Sequence, residues 1–149
     1  MKIFIGGDHR GFAMRSELAE YLESKGYQVV DVSDKELNPE DDFPKHARTA
    51  VLKLLAAGGT ARAILLCGGG QGMCMAANRF KGVRAALIWD ATEARIARND
   101  NDSNVLCLSA RALGNNPAAW QDIVDVWLTT PFSGAARYIR RNNELDKLT

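Results

Sequence analysis

Two short stretches of the sequence carry groups that can do chemistry. Asp8, His9 and Arg10 follow an apolar run, and glycines flank them. Cys67 ends another apolar run and is followed by the sequence GGGQG at 68–72. Backbone amides of glycines can converge on one anion because no side chain stands in the way, and the start of a helix favours a thiolate, the reactive form of cysteine. We predict an oxyanion or phosphate site beside a reactive thiol.

Each of these groups also has a purely structural interpretation. Asp8 can cap the helix that follows it, and Cys67 can be a small buried hydrophobic residue, as we expect for Cys74 and Cys107. The glycine loop is not a Walker A loop, because no Gly-Lys-Ser/Thr follows, and it does not match the dinucleotide fingerprint. Nucleotide binding is therefore disfavoured.

A second set of polar residues lies further along the chain. The sequence RNDNDSN occupies 98–104, and four arginines follow it at Arg111, Arg137, Arg140 and Arg141. The planar fork of arginine suits phosphate, and Arg137 and Arg141 share one helix face at i, i+4 spacing. Any single arginine can equally be a solvated surface charge.

Five short apolar runs alternate with amphipathic stretches, which is the pattern of βα units. We predict strands at 1–6, 27–32, 63–67, 83–88 and 104–108, and helices at 10–25, 44–57, 72–79, 92–98 and 117–128. Buried parallel strands need helices on both faces, so the expected fold is α/β, a three-layer α/β/α sandwich around a five-stranded parallel sheet of order 2-1-3-4-5. Ligands should bind at the carboxyl ends of the strands.

Composition sets further limits. A chain of 149 residues with 46% hydrophobic and 25% charged residues predicts one globular domain over 1–149, and a net charge of +1 argues against nucleic acid or membrane partners. The N-terminus turns polar too early for a signal peptide, so we expect a cytoplasmic protein with reduced cysteines. Two histidines supply a metal site poorly, and no metal is expected. The acidic stretch 33–42 is predicted to be a surface loop, and 132–149 an Arg-rich helix that reaches a partner subunit.

The sequence resembles the type B ribose-5-phosphate isomerases and their galactose-6-phosphate isomerase relatives over nearly the whole chain. The resemblance rests on motifs taken together: GDHRGF at 7–12, DFP at 42–44, CGGGQG at 67–72, AANR at 76–79, GVRA at 82–85, NDSNVL at 101–106, and Arg137 with Arg141. It implies a Rossmann-like subunit, a homodimer or tetramer with an active site shared between subunits, no cofactor and no metal. It also implies a small phosphorylated sugar as substrate and a role in the pentose phosphate pathway.

The resemblance also assigns roles to residues. Cys67 would be the base that moves a proton between C1 and C2 of an aldose phosphate, with the amides of Gly68, Gly69, Gly70 and Gly72 holding the enediolate. Asp8 would bind sugar hydroxyls, with Arg10 and Phe43 also in the substrate site. His9, Arg137 and Arg141 would bind the phosphate, joined by Arg111 and Asn101 from the neighbouring subunit.

Three departures from the family pattern leave the substrate open. Asp100 stands where many members have a histidine that opens the sugar ring, so Asp100 or His46 is the candidate for that step. Gly69 replaces a Thr or Ser, and aromatic positions differ at Phe43 and Tyr138. We predict an isomerase of ribose 5-phosphate or a close analogue. The alternatives are a tetrose 4-phosphate, which needs little ring opening, a hexose phosphate, or a non-catalytic sugar-phosphate binding protein.

Overall fold

Five parallel strands form one sheet in the computed structural model, which describes residues 1–148. The strands are β1 (Lys2–Gly7), β2 (Gln28–Asp31), β3 (Ala61–Cys67), β4 (Ala85–Leu87) and β5 (Val105–Ser109). Their order across the sheet is β2-β1-β3-β5-β4. All five strands therefore end at one edge of the sheet, here called the carboxyl edge, and begin at the opposite amino edge.

Within residues 1–148, seven helices accompany the sheet. They are α1 (Phe12–Ser24), α2 (Phe43–Ala56), α3 (Gln71–Ala77), α4 (Ala91–Asn99), α5 (Ala110–Leu113), α6 (Pro117–Thr129) and α7 (Ala136–Leu145). None of the helices in this part of the chain is both long enough and apolar enough to cross a membrane.

Strand side chains alternate between two apolar cores, one on each face of the sheet. Ile3 and Ile5 of β1 pack with α1, α4 and α6 on one face. Phe4, the residue between them, packs with α2 and α3 on the other face. This period of two is what a strand buried on both sides requires. The predicted three-layer α/β/α sandwich is confirmed.

The predicted strand order is wrong for the last two strands, because β5 lies between β3 and β4. The cause is the handedness of the crossovers. Helix α3 follows β3 on one face of the sheet, whereas α4 follows β4 on the other. Right-handed crossovers move in opposite directions across a sheet when their helices lie on opposite faces, so the chain turns back after β4. This leaves the short β4 as an outermost strand of the sheet.

Other differences from the predicted elements are local. The C-terminal helix begins at Ala136 and not at 132, since Gly134 has a positive φ of 65°, outside the right-handed helical region. Thr149, the end of that predicted helix, lies outside the described residues. Helix α5 was not predicted. The acidic stretch 33–42 is not wholly a surface loop, because the side chain of Asp41 is only 6% exposed.

Candidate active site

The Cys67 thiol lies at the carboxyl edge, at the last position of β3. It is buried, and its Sγ accepts a hydrogen bond from the backbone amide of Gly70 at 3.0 Å. This amide is therefore bonded to the sulfur, whereas the resemblance assigned it to the enediolate. The amides of Gly68, Gly69 and Gly72 are left as candidates for contact with the substrate.

The loop can make this turn only because Gly70 is a glycine. Its φ is 73°, in the left-handed region, and a Cβ there would lie 2.5 Å from Leu87 Cδ1 and 3.0 Å from the carbonyl carbon of Leu108. At the start of α3, a Cβ on Gly72 would lie 2.9 Å from the ring of Phe43. Side chains on both sides therefore fix the course of the loop, and Phe43 forms one of its walls.

Asp8 holds the turn between β1 and α1. It is buried, and its Oδ1 accepts from the amides of Arg10 at 2.9 Å and Gly11 at 3.1 Å. Gly11 allows this turn to pass close to β3, since a Cβ there would lie 2.9 Å from Leu66. One carboxylate oxygen of Asp8 therefore holds the turn before α1, but Asp8 does not cap the helix as expected, since the N-cap is Gly11 and has no side-chain hydrogen bond.

The side chains of two arginines border the glycine loop, Arg10 with its aliphatic stem and Arg111 with its guanidinium group. The Cβ of Arg10 would lie 3.4 Å from a Cβ on Gly68, and Arg111 Nη2 would lie 3.3 Å from a Cβ on Gly69. The amide of Arg111 also donates to the carbonyl of Gly68 at 3.1 Å. Arg111 was expected to come from a neighbouring subunit, but it already lies beside the loop of its own chain. Positive charge here suits an anionic ligand.

The carboxylate of Asp41 joins the two histidines of the chain. His9 Nδ1 lies 2.7 Å from Asp41 Oδ1, and His46 Nε2 lies 3.0 Å from Asp41 Oδ2. His9 is 28% exposed, whereas His46 is 1% exposed and cannot touch a sugar. The hypothesis that His46 itself opens the sugar ring is therefore wrong. Asp41 was not predicted as a site residue, and its only signal in the sequence is its place beside the DFP motif.

The remaining predicted residues lie at the other end of the sheet. Asp100 and Asn101 follow α4 at the amino edge, where Asn99 Nδ2 donates to Asp100 Oδ1 at 2.7 Å and Arg84 Nε donates to the carbonyl of Asn101 at 3.0 Å. Val105 begins β5 just after this turn and pairs with Ala63 of β3. Ala63 lies four residues before Cys67, which corresponds to about 13 Å along the strand. These two residues are thus remote from the Cys67 of their own chain.

Arg137 and Arg141 on α7 are exposed, and they lie over the ring of Tyr138 at 4.7 Å and 5.9 Å from its centre. An ion pair of 3.1 Å between Arg84, just before β4, and Asp146 ties the end of α7 to the amino edge. The amide of Ser133, just before α7, also donates to the carbonyl of Asn99 at 3.0 Å, so both ends of α7 lie at the amino edge. The arginine pair therefore belongs with Asp100 and Asn101, here called the amino-edge group. The carboxyl-edge group comprises Asp8, His9, Arg10, Phe43, Cys67, Gly68, Gly69, Gly70, Gly72 and Arg111.

Several motif residues have structural contacts. The side chain of Asn78 accepts from the amide of Ala85 at 2.8 Å and donates to its carbonyl at 2.9 Å. It thereby fixes the start of the outermost strand β4. Asn104 accepts from the amide of Arg84 at 2.8 Å and donates to the carbonyl of Gly82 at 2.8 Å. These residues hold the framework at the amino edge.

Cys74 and Cys107 differ in their ionisation. A hydrogen bond with Cys107 lowers the pKa of Cys74 to about 7, although burial alone would raise it. Burial raises the pKa of Cys107 well above its ordinary value. Cys74 is thus the more readily ionised of these two thiols and is not simply an inert apolar residue.

One group of side chains has the spacing of metal ligands. The ligand atoms of Asp34, Asp41 and His46 lie within 4.8 Å of one another. However, Asp41 and His46 bond each other, and the carboxylate of Asp34 accepts from Lys45 Nζ at 3.1 Å. Each of these donors already has a protein partner, so the group serves better as a hydrogen-bond network than as a metal site.

Comparison with known proteins identifies the family of this chain. Residues 3–145 match the Ribose/Galactose Isomerase family. A probable ribose-5-phosphate isomerase B of Mycoplasma pneumoniae is 41% identical over 132 residues, which cover 89% of this chain and 85% of that one. The crystal structure of ribose-5-phosphate isomerase B from Mycoplasma genitalium with bound ribulose 5-phosphate is 36% identical, has a TM-score of 0.93, and is matched over 99% of this chain and 95% of that chain.

A second solved structure gives the same result. Ribose 5-phosphate isomerase from Thermotoga maritima is 38% identical, with a TM-score of 0.91 over 98% of this chain and 97% of that chain. Together with the matching family model, these similarities show that the chain belongs to the Ribose/Galactose Isomerase family.

Proposed function

We propose that this protein is an aldose–ketose isomerase that converts ribose 5-phosphate to ribulose 5-phosphate. The observation that carries the proposal is the buried Cys67 thiol at the carboxyl edge, whose sulfur accepts the Gly70 amide at 3.0 Å. A thiol held in this way can act as a base once ionised, because the amide stabilises charge on the sulfur. The relative from Mycoplasma genitalium, with ribulose 5-phosphate bound, supports the choice of substrate.

In the proposed reaction, the Cys67 thiolate removes the proton from C2 of the open-chain aldose. The electron pair of the C2–H bond forms the C1–C2 double bond, and the carbonyl oxygen on C1 takes up negative charge. The thiol then returns the proton to C1, while a second proton moves from the oxygen on C2 to the oxygen on C1. One carbon is reduced as its neighbour is oxidised, so the reaction needs no external electron acceptor.

The glycine loop and its arginines fit the charge that develops in this reaction. The enediolate is more negative than the bound sugar, so preorganised donors stabilise it more than they stabilise the substrate. The amides of Gly68, Gly69 and Gly72 are the candidates, with Arg10 and Arg111 beside the loop. Each well-placed donor of this kind contributes about 3 kcal/mol.

We also propose that two copies of the chain build each active site in a homodimer. The amino-edge group lies remote from Cys67 in its own chain, whereas Asn101, Arg137 and Arg141 carry phosphate-binding chemistry. In a twofold dimer, this group of one copy would approach the carboxyl edge of the other. For this function we expect a cytoplasmic enzyme in the pentose phosphate pathway.

Proton NMR in deuterated water tests the function. The protein is incubated with ribose 5-phosphate, and Cys67→Ala serves as control. We expect ribulose 5-phosphate with deuterium incorporated from solvent, and a loss of about 10²- to 10⁴-fold in the control. An unmodified protein that leaves ribose 5-phosphate unchanged would refute the proposal.

The same spectra separate the alternatives. Turnover of erythrose 4-phosphate alone would favour a tetrose phosphate, and turnover of a hexose 6-phosphate alone would favour a hexose substrate. Binding without turnover would favour a binding protein, and alkylation of Cys67 should then leave affinity intact. That labelling requires a Cys74→Ser background, because the pKa of about 7 makes Cys74 reactive near neutral pH.

A further inference from the structure

A continuous hydrogen-bonded chain runs from the α2 side of the core to the carboxyl edge through Asp41. His46, at the buried end, lies 3.0 Å from Asp41 Oδ2. His9, at the exposed end, places Nδ1 at 2.7 Å and its backbone amide at 3.0 Å from Asp41 Oδ1. Both oxygens of the carboxylate are thus occupied, and its orientation is fixed from two sides.

The ionisation of Asp41 decides how the His9 ring is protonated. Burial alone would raise the pKa of Asp41, but hydrogen bonds from the His9 amide, the His9 ring and the His46 ring lower it below its ordinary value. Asp41 is therefore a carboxylate at neutral pH, and a carboxylate can only accept. Nδ1 of His9 must then carry a proton, which leaves Nε2 of neutral His9 free to accept another.

His9 lies at the strand ends that form the candidate active site. Gly7 pairs with Leu66, the residue before Cys67, and the amide of Asp8 donates to the carbonyl of Leu66 at 3.3 Å. Of the two histidines in the sequence, only the half-buried His9 reaches solvent at this edge. Asp100 is at the amino edge of its own chain.

Ribose 5-phosphate closes a furanose ring, and Cys67 can act only on the open chain. We infer that His9 is the acid–base group that opens this ring, and that Asp41 and His46 are positioning residues that hold its Nε2 unprotonated. Nε2 takes the proton from the hydroxyl on C1, and the carbonyl at C1 forms as the bond from C1 to the ring oxygen breaks. That bonding pair stays on the ring oxygen, which then takes the proton from Nε2. The inference rests on the proposed function.

Asp41 also stabilises the transient imidazolium. A neighbouring carboxylate holds the required tautomer and favours the positive charge that the ring acquires after taking the proton. His46, which bonds the second oxygen, prevents the carboxylate from rotating away. Together they give His9 an alternative to the phosphate-binding role that the resemblance implies.

Exchange between the α and β anomers of ribose 5-phosphate tests the inference, because it requires ring opening and no transfer from C2. Exchange spectroscopy is done with the Cys67→Ala protein, which keeps His9 and lacks the isomerisation base. We expect this protein to accelerate anomer exchange. Adding Asp41→Asn should reduce the acceleration at least about tenfold, and adding His9→Asn should abolish it, since general acid–base catalysis contributes about 10²- to 10⁴-fold.

Asp42→Asn is the matched control, because it removes the neighbouring exposed carboxylate from the same loop. It should leave the acceleration intact. The His9→Asn variant keeps a donor to Asp41 and guards against loss of folding in Asp41→Asn. Nitrogen-15 NMR should also find His9 protonated at Nδ1 in the unmodified protein, with this preference lost in Asp41→Asn.

Two results would overturn the inference. One is an absence of accelerated anomer exchange in Cys67→Ala while the unmodified protein isomerises ribose 5-phosphate. The other is equal acceleration with and without the His9 substitution, which would leave His9 with a phosphate-binding role. Failure of the proposed function looks different, because the unmodified protein would then produce no ribulose 5-phosphate.

Discussion

The carboxyl edge and the amino edge of the sheet present their polar residues in opposite ways. At the carboxyl edge, Cys67, Asp8 and Asp41 are buried or nearly so, and each makes a hydrogen bond to backbone or to a histidine. At the amino edge, Arg137 and Arg141 are exposed on a helix that an ion pair of its last turn ties to the body of the protein. The first group is organised within one chain, and the second is not.

The surroundings of α7 reinforce this difference. Asn142 is buried, yet its side-chain amide has no hydrogen-bond partner within residues 1–148, and Ile139 and Leu145 are 44% and 48% exposed. Unpartnered buried amides and exposed apolar side chains on one helix are unusual at a surface that no other chain covers. One chain alone thus brings the Cys67 thiol and the glycine loop together, whereas the α7 arginines lie apart from them, as the proposed dimer requires.

We expect the largest effect from mixing two inactive variants, one from each edge of the sheet. Cys67→Ala removes the carboxyl-edge base, and the double variant Arg137→Ala, Arg141→Ala removes the amino-edge arginines. If each site joins the two edges of different copies, mixed dimers contain one intact site. Refolding the variants together should restore about a quarter of the unmodified activity, because half of the dimers are mixed and each has one of two sites intact.

Arg140→Ala provides the control for loss of an arginine from the same helix, since Arg140 lies outside the i, i+4 pair, about 100° around the helix axis from Arg141. It should lose little activity alone. Activity that stays at the level of the separate variants after co-refolding would show that the two edges do not meet across copies.

A glycine substitution tests how firmly the carboxyl edge is preformed. Gly70→Ala should destabilise the protein by about 3 kcal/mol, from the left-handed φ of 73° together with the clash of its Cβ with Leu87. Gly58→Ala is matched to it, because its φ is 61° and nothing lies within 4 Å of its Cβ. The control should cost about 1 kcal/mol, the left-handed penalty alone. Chemical denaturation measures both, and equal losses would mean that the loop adapts.

Much of the fold and of the carboxyl-edge group was predictable from the sequence. Alternating apolar runs and glycines gave the α/β class, and Cys67 with its loop was expected at the end of a strand. The strand order was not, because it depends on which face α4 covers, and α4 is a short helix whose composition does not reveal its face. Asp41 was missed for a related reason. Its partners His9 and His46 come together only after β1 and α2 pack on each other.

The polar stretch 98–104 at the amino edge shows a second limit of prediction from the sequence. Asp100 and Asn101 were predicted as site residues of the polar stretch 98–104, whereas the structure gives Asp102, Ser103 and Asn104 framework contacts. A polar cluster in a sequence does not distinguish a side chain that meets a ligand from one that holds a turn, because both need the same residue types. Contacts within the chain make that distinction for Asp102, Ser103 and Asn104.

The smallest expected effect concerns Asp102, which we expect to support the amino edge without serving the reaction. Its carboxylate lies 2.8 Å from Nη1 of the buried Arg98 and 3.1 Å from Nη2 of Arg84. Asp102→Asn removes the charge but suits the positive φ of 46°, which asparagine tolerates. We expect a loss of about 1–2 kcal/mol, since hydrogen bonds to charged groups contribute about that much, and a Tm lower by about 3–6 °C with kcat retained.

Asp122→Asn is the control, because it removes an exposed carboxylate on α6. It should lower the Tm far less than Asp102→Asn does. Calorimetry and ribose 5-phosphate turnover on the same samples separate the two roles. A fall in kcat with unchanged Tm would place Asp102 in the reaction itself. Asp102 would then serve the reaction together with Asn101 and the amino-edge arginines. The turn at 100–104 would have a catalytic role as well as a structural one.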